Sequence, residues 1–101
     1  MPTSVKIPQS EVTPGCGKVV EVGGKQVAVF NVGGTFHAID NTCLHQGGPL
    51  GEGSLDEATV TCPWHGWEYD VTTGQCQTMA AATVARYPIR IEGSDIIVEV
   101  P

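Results

Sequence analysis

Two short Cys/His pairs hold the chemistry of this chain. The first is Cys43-Leu44-His45, followed by Gln46-Gly47-Gly48-Pro49. The second is Cys62-Pro63-Trp64-His65, followed by Gly66-Trp67-Glu68-Tyr69-Asp70. Sixteen residues, 46 to 61, separate the pairs. Each pair offers one thiolate and one imidazole, four ligands of borderline-to-soft character in all. Such a set suits zinc or an iron–sulfur cluster, whereas calcium and magnesium want oxygen. Zinc fingers usually group two thiolates at one end and two imidazoles at the other, with about two to four residues inside the Cys pair. Here each pair mixes the two types, and a single residue lies between Cys43 and His45.

The C-x-H and C-x-x-H motifs resemble the ligand loops of the Rieske family, as do Gly47-Gly48-Pro49 after the first and Gly66-Trp67-Glu68-Tyr69-Asp70 after the second. The resemblance implies one [2Fe–2S] cluster per chain, with Cys43 and Cys62 on the inner iron and His45 and His65 on the outer. It further implies that Gly47, Gly48 and Gly66 let backbone amides approach the sulfurs, that Trp64 and Trp67 keep water away, and that the Tyr69 phenol donates to a cysteine sulfur. Plainer roles stand beside these: the glycines shape turns, the tryptophans pack, and Tyr69 is a buried strand aromatic. Three departures matter. Gly48 and Trp64 stand where the high-potential branch has two further cysteines, Trp67 stands where it has a serine, and Thr78-Met79-Ala80 lacks the proline of the family's cover loop. Without that serine hydroxyl, and without a disulfide at Gly48 and Trp64 to hold the loops over the cluster, the expected reduction potential lies in the lower part of the Rieske range, below roughly 0 mV.

Composition sets the bounds. A chain of 101 residues, 41% of them hydrophobic, suffices for one domain with a real core. The expectation is therefore a single unit over 1–101, with a cluster-binding subdomain at about 43–70 inserted in a β base domain. No apolar run approaches membrane-spanning length, and Met1-Pro2-Thr3-Ser4 lacks the regions of a secretory signal. A cytoplasmic monomer is expected, and in that setting Cys16 and Cys76 are expected as two thiols rather than a disulfide. Five basic and eleven acidic residues give a net charge of −6, which disfavours nucleic acid as a partner. Glu52, Asp56 and Glu57 form the one local acidic concentration, suited to solubility or to steering toward a basic partner.

The elements that must position the pairs are strands. Alternation broken by glycine runs through the chain, with no helix-period stretch. Strands are expected around Val5 to Ile7, Lys18 to Val22, Gln26 to Val32 and Thr35 to Ile39, joined by turns at Gly23-Gly24 and Gly33-Gly34. His37 falls on the last of these, as a surface position. Ala58 to Thr61 presents Cys62, and Trp67 to Val71 follows with a turn at Thr72-Thr73-Gly74. Thr78 to Ala82 is expected as a small-residue loop. A half-buried strand over Tyr87 to Ile91, marked as an edge by Pro88, precedes the last strand, Ile96 to Val100. The fold class is all-β: a small antiparallel sandwich or barrel, with two loops at one end carrying the chemistry.

The wording Cys62-Pro63-Trp64-His65-Gly66-Trp67 is similar both to free-standing Rieske ferredoxins and to the Rieske domains of ring-hydroxylating oxygenases. The latter also need a mononuclear iron held by two His and a carboxylate, and this sequence has three His, two of them in the pairs. The resemblance thus implies an electron carrier, not itself an enzyme, between a flavin-dependent ferredoxin reductase and a terminal oxygenase. The alternatives are a small redox subunit of a nitrite-reductase-like complex, a zinc-stabilised interaction module and a stand-alone redox sensor.

Overall fold

The run Val27-Ala28-Val29-Phe30 is apolar at every position, the pattern of a strand buried on both faces rather than one. The computed structural model, which describes residues 3–41, 49–63, 66–78 and 83–100, gives the reason. The described residues form ten strands: β1 Thr3–Pro8, β2 Gly17–Val22, β3 Lys25–Val32, β4 Thr35–Asp40, β5 Ser54–Asp56, β6 Thr59–Thr61, β7 Glu68–Asp70, β8 Arg86–Tyr87, β9 Ile89–Glu92 and β10 Asp95–Val100. Every strand pairing is antiparallel, in three sheets ordered β1-β10-β9, β2-β3-β4-β8 and β5-β6-β7.

The second sheet is the middle layer. Successive strand side chains point to opposite faces, and β3 divides its run accordingly. Val27 and Val29 enter one core with Ile7, Val22, Ile96 and Val98, while Ala28 and Phe30 enter the other with Leu50, Val60, Cys62 and Tyr69. On β4, Ala38 and Ile39 separate in the same way. The expected all-β sandwich is therefore built on a shared central sheet, with the layer that carries Cys62 on one side of it.

Two elements differ from the sequence-based expectation. The single strand over Tyr87 to Ile91 is two strands in different sheets: β8 pairs with β4, and β9 pairs with β10. Pro88 lies between them and has no N–H to continue a ladder, while its carbonyl accepts from the Glu99 N–H at 3.1 Å. It marks the point where the chain changes sheets, not the edge of one strand. The second difference is a 3₁₀ turn at Leu50–Glu52 followed by β5. Ser54-Leu55-Asp56 has no strand pattern of its own and becomes one by pairing with β6, Ser54 opposite Thr61 and Leu55 opposite Val60.

The turn at Thr72-Thr73-Gly74 does close a hairpin. The Asp70 N–H donates to the Gln75 carbonyl at 2.9 Å, and the Asp70 carboxylate accepts from the Thr72 N–H at 2.8 Å and the Thr72 hydroxyl at 2.5 Å. Arg86 on β8 donates to the Thr72 carbonyl, tying this hairpin to the middle sheet.

Phe30 is fully buried at the junction of the middle sheet and the Cys62 layer. Phe30→Ala should lower the unfolding free energy by about 3–5 kcal/mol, read from urea titration followed by far-ultraviolet circular dichroism. Ile91→Ala, at a side chain 51% exposed, should change it by less than about 0.5 kcal/mol.

Candidate metal centre

Strand β6 ends at Thr61 and delivers Cys62 directly. The Cys62 N–H donates to the Trp67 carbonyl at 2.7 Å, so residues 62 and 67 meet. Gly66 enters that closure with φ +74°, a left-handed conformation that costs an L side chain roughly 1–2 kcal/mol. Trp67 lies half-buried against the core that holds Cys62.

Cys62 is 2% exposed and shares its core with Leu50, Val60, Tyr69 and Cys76. Tyr69 is fully buried on β7, opposite Val60 and bridged to Cys76. Both aspects expected of Tyr69 are compatible with this position: it is a core aromatic, and it lies in the layer of the cysteine. Cys43, His45, Gly47, Gly48, Trp64 and His65, together with the 79–82 part of the expected small-residue loop, lie outside the described residues. Among the described residues no group of three or more His, Cys, Asp and Glu is assembled for a metal.

The remaining candidates resolve differently. Cys16 is exposed and Cys76 buried, and neither is in a disulfide. Asp56 and Glu57, close to Cys62 in sequence, form the turn at the opposite end of the β5–β6 hairpin. Cys62 is three residues beyond Thr59, roughly 10 Å along a strand. Glu52 and Glu68 are exposed carboxylates nearer Cys62: Glu68 stands opposite Thr61, and Glu52 ends the 3₁₀ turn whose next residue, Gly53, packs on the Thr61 backbone. Two residues went unnoticed in the sequence. Asn41, a buried polar residue at the exit of β4, looked like any loop asparagine. Arg86 looked like a strand-surface charge, and no local pattern announces its bond to Thr72.

His37 is partly buried rather than a plain surface position. It lines a shallow groove of about 230 Å³ with Phe36, Arg86, Tyr87 and Ile89, beside β4 where β8 stops and Pro88 turns away. Burial lowers its pKa below the ordinary 6.5, the Arg86 charge lowers it further, and Asp70 opposes them. Burial also raises the Tyr87 phenol above its ordinary value, with the Asp40 charge adding to it.

A family model, the Rieske [2Fe–2S] domain, matches residues 4–88. A 3-phenylpropionate/cinnamic acid dioxygenase ferredoxin subunit from Shigella boydii serotype 4 (strain Sb227) is 42% identical over 77 residues, covering 74% of this chain and 73% of that protein. A chain from a complex of reduced oxygenase and oxidized ferredoxin in carbazole 1,9a-dioxygenase superposes with a TM-score of 0.86 at 30% identity, covering 94% of this chain and 91% of its own. A Mycobacterium tuberculosis chain assigned as an NADH-dependent nitrite reductase small subunit superposes with a TM-score of 0.90 at 23% identity, covering 100% of this chain and 97% of its own. That last likeness carries the fold alone. This chain belongs to the Rieske [2Fe–2S] family, and its cofactor is a [2Fe–2S] cluster. The described geometry fits that group: Cys62 is a thiol withdrawn from water, where a thiolate–iron bond would be sheltered from hydrolysis.

The His37 shift makes a testable claim about stability. A base whose folded pKa is lowered binds fewer protons folded than unfolded between that pKa and 6.5. Its contribution is therefore complete above pH 6.5 and declines as pH falls toward the folded value. His37→Gln should remove this part of the acid-side loss, so the urea midpoint of the variant should fall less than that of the wild type between about pH 6.5 and 5. Equal slopes would place His37 in water.

Proposed function

We propose that this chain is a one-electron carrier that takes electrons from a flavin-dependent reductase and delivers them to a terminal Rieske-type oxygenase. The observation that carries this reading is its likeness, in sequence and over most of both chains, to a dioxygenase ferredoxin subunit. A similar ferredoxin is found with its oxygenase in one complex, which supports the delivery half of the role. A monomer working in the cytoplasm fits it, and no helix among the described residues is long and apolar enough to cross a membrane.

The residues proposed to hold the cluster are Cys43 and Cys62 on one iron and His45 and His65 on the other. When bound, the group accepts and releases one electron. Two ferric ions, two sulfides and two thiolates sum to zero formal charge, so an added electron meets less repulsion than in a four-thiolate centre. The chain's part is placement. Cys62 comes from the end of a paired strand and Trp67 lies against the apolar core. Tyr69 is the aromatic of that core whose phenol is proposed to donate to a cysteine sulfur, while Gly47, Gly48 and Gly66 admit backbone donors and Trp64 excludes water. His45 and His65 would then face the partner, where the electron leaves.

Purified aerobically, the protein should be red-brown and hold two iron and two acid-labile sulfides per chain. His45→Ala and His65→Ala should each abolish the visible absorption, and His37→Ala should leave it intact. A colourless protein with one zinc would sink this reading. Permanent co-purification with a large catalytic subunit would favour the nitrite-reductase-like alternative.

The charge distribution adds a second test. A chain of net charge −6 is drawn to a basic docking face, and salt screens that attraction. Reduction by the reductase should slow as ionic strength rises. Glu52→Lys and Glu68→Lys should each slow it roughly three- to ten-fold at low salt, and Asp56→Lys, at the far end of its hairpin, should do less. A rate independent of salt would mean apolar docking.

A further inference from the structure

Asn41 is 3% exposed and stands at the last position before segment 42–48. Its side-chain carbonyl accepts from the Gly51 N–H at 2.7 Å. Its backbone carbonyl accepts from the Leu50 N–H at 2.7 Å, and its own N–H donates to the Gln26 carbonyl at 3.1 Å, next to the middle sheet. The chain therefore leaves the sheet at residue 41 and returns against that same residue at 50 and 51. One amino acid thus ties together the two flanks, residues 41 and 50–51, of the stretch of sequence that contains Cys43 and His45.

The returning 3₁₀ turn is fixed at its other end as well. A Cβ on Gly53 would lie well inside van der Waals contact of the Thr61 carbonyl oxygen, so backbone meets backbone there. Thr61 immediately precedes Cys62. A Cβ on Gly51 would stand 2.5 Å from the Val19 side chain and 3.0 Å from the Asn41 side-chain oxygen. Leu50, fully buried, enters the same core as Cys62. These contacts form one short series: Asn41, Leu50 and Gly51, Gly53, Thr61, Cys62. It joins the stem of the first Cys/His loop to the stem of the second.

We propose that Asn41 is a positioning residue, and that the Leu50–Gly53 turn it holds sets the separation of the two ligand loops. The inference rests on the ligand assignment proposed above. A buried amide is costly unless its hydrogen bonds are made; here the oxygen accepts from Gly51 across the loop, and the Nδ2 donates to the Gln26 side-chain oxygen at 3.4 Å beside the middle sheet. Backbone bonds alone, at Leu50, would close the stem without fixing its orientation. The Asn41 side chain supplies the second point of attachment.

The test compares wild type, Asn41→Ala, Asn41→Asp and Gly53→Ala as purified holoproteins. Three things are measured: iron release to a chelator, the electron paramagnetic resonance g-values of the dithionite-reduced protein, and amide hydrogen exchange by mass spectrometry. In Asn41→Ala, iron release should accelerate about ten-fold or more, because the Gly51 N–H loses its buried acceptor. The g-values should shift, and lost protection should be confined to peptides covering 49–53, with β3 and β10 unchanged. Asn41→Asp keeps the accepting oxygen and should release iron more slowly than Asn41→Ala. Gly53→Ala should shift the g-values through the other end of the turn. Unchanged release and g-values in Asn41→Ala would overturn the proposal. So would faster release accompanied by loss of protection throughout β3 and β10, which would make Asn41 an element of general stability only. If the wild type holds zinc, the electron-carrier reading fails on its own. Zinc release to a chromophoric chelator, compared with local exchange at 49–53, then decides Asn41 by the same two outcomes.

Discussion

The structure depends on one sheet being buried on both sides. Strand β3 has Val27 and Val29 on one face and Ala28 and Phe30 on the other, all fully buried. A strand in that position can satisfy its backbone only by pairing on both edges, and β2 and β4 provide this. The cores on the two faces then do different work. One closes the base against β1, β9 and β10; the other fixes the layer that contains Cys62. Because protein cores are close-packed, that layer has little freedom to tilt, and the loops that leave it begin from defined points.

Hydrogen bonds complete what packing begins. A backbone bond joins Cys62 to Trp67, and Asn41 holds Leu50 and Gly51 through both its backbone and its side chain. Arg86 fastens the Asp70–Gln75 hairpin to the middle sheet. Each closure lies one or two residues from a proposed ligand or one element away, so scaffold and site are continuous. A rigid sheet carrying chemistry on its loops is a common division of labour.

The electrostatic layout follows the same division. The described core around Cys62 is apolar, and the acidic side chains lie outside it. A centre whose formal charge is near zero can sit against such a core without the large desolvation cost of a net ion. The surface charge is left for attraction at a distance. Of the carboxylates that cluster in sequence, Glu52 stays with the loops while Asp56 and Glu57 are carried to the far end of the β5–β6 hairpin. Glu68, distant from Glu52 in sequence, is brought to the near end.

The sequence by itself determined the all-β class, the turns at Gly23-Gly24, Gly33-Gly34 and Thr72-Thr73-Gly74, and the family, and the proposed ligand set rests on it. Those features are local: metal-binding pairs are defined by residue type at short spacing, and turns by glycine and by short polar side chains that bond their own backbone. Only the tertiary structure decided that Pro88 divides two sheets, since an X-Pro step looks the same at an edge and at a crossover. It alone decided that Ser54-Leu55-Asp56 is a strand, because three residues gain that state only from a partner. It also decided that Asn41 is buried, that Arg86 reaches Thr72 and that His37 has lost some of its water. Each of these is a contact between residues far apart in the chain or set by packing from another layer, and local sequence carries no signal for it.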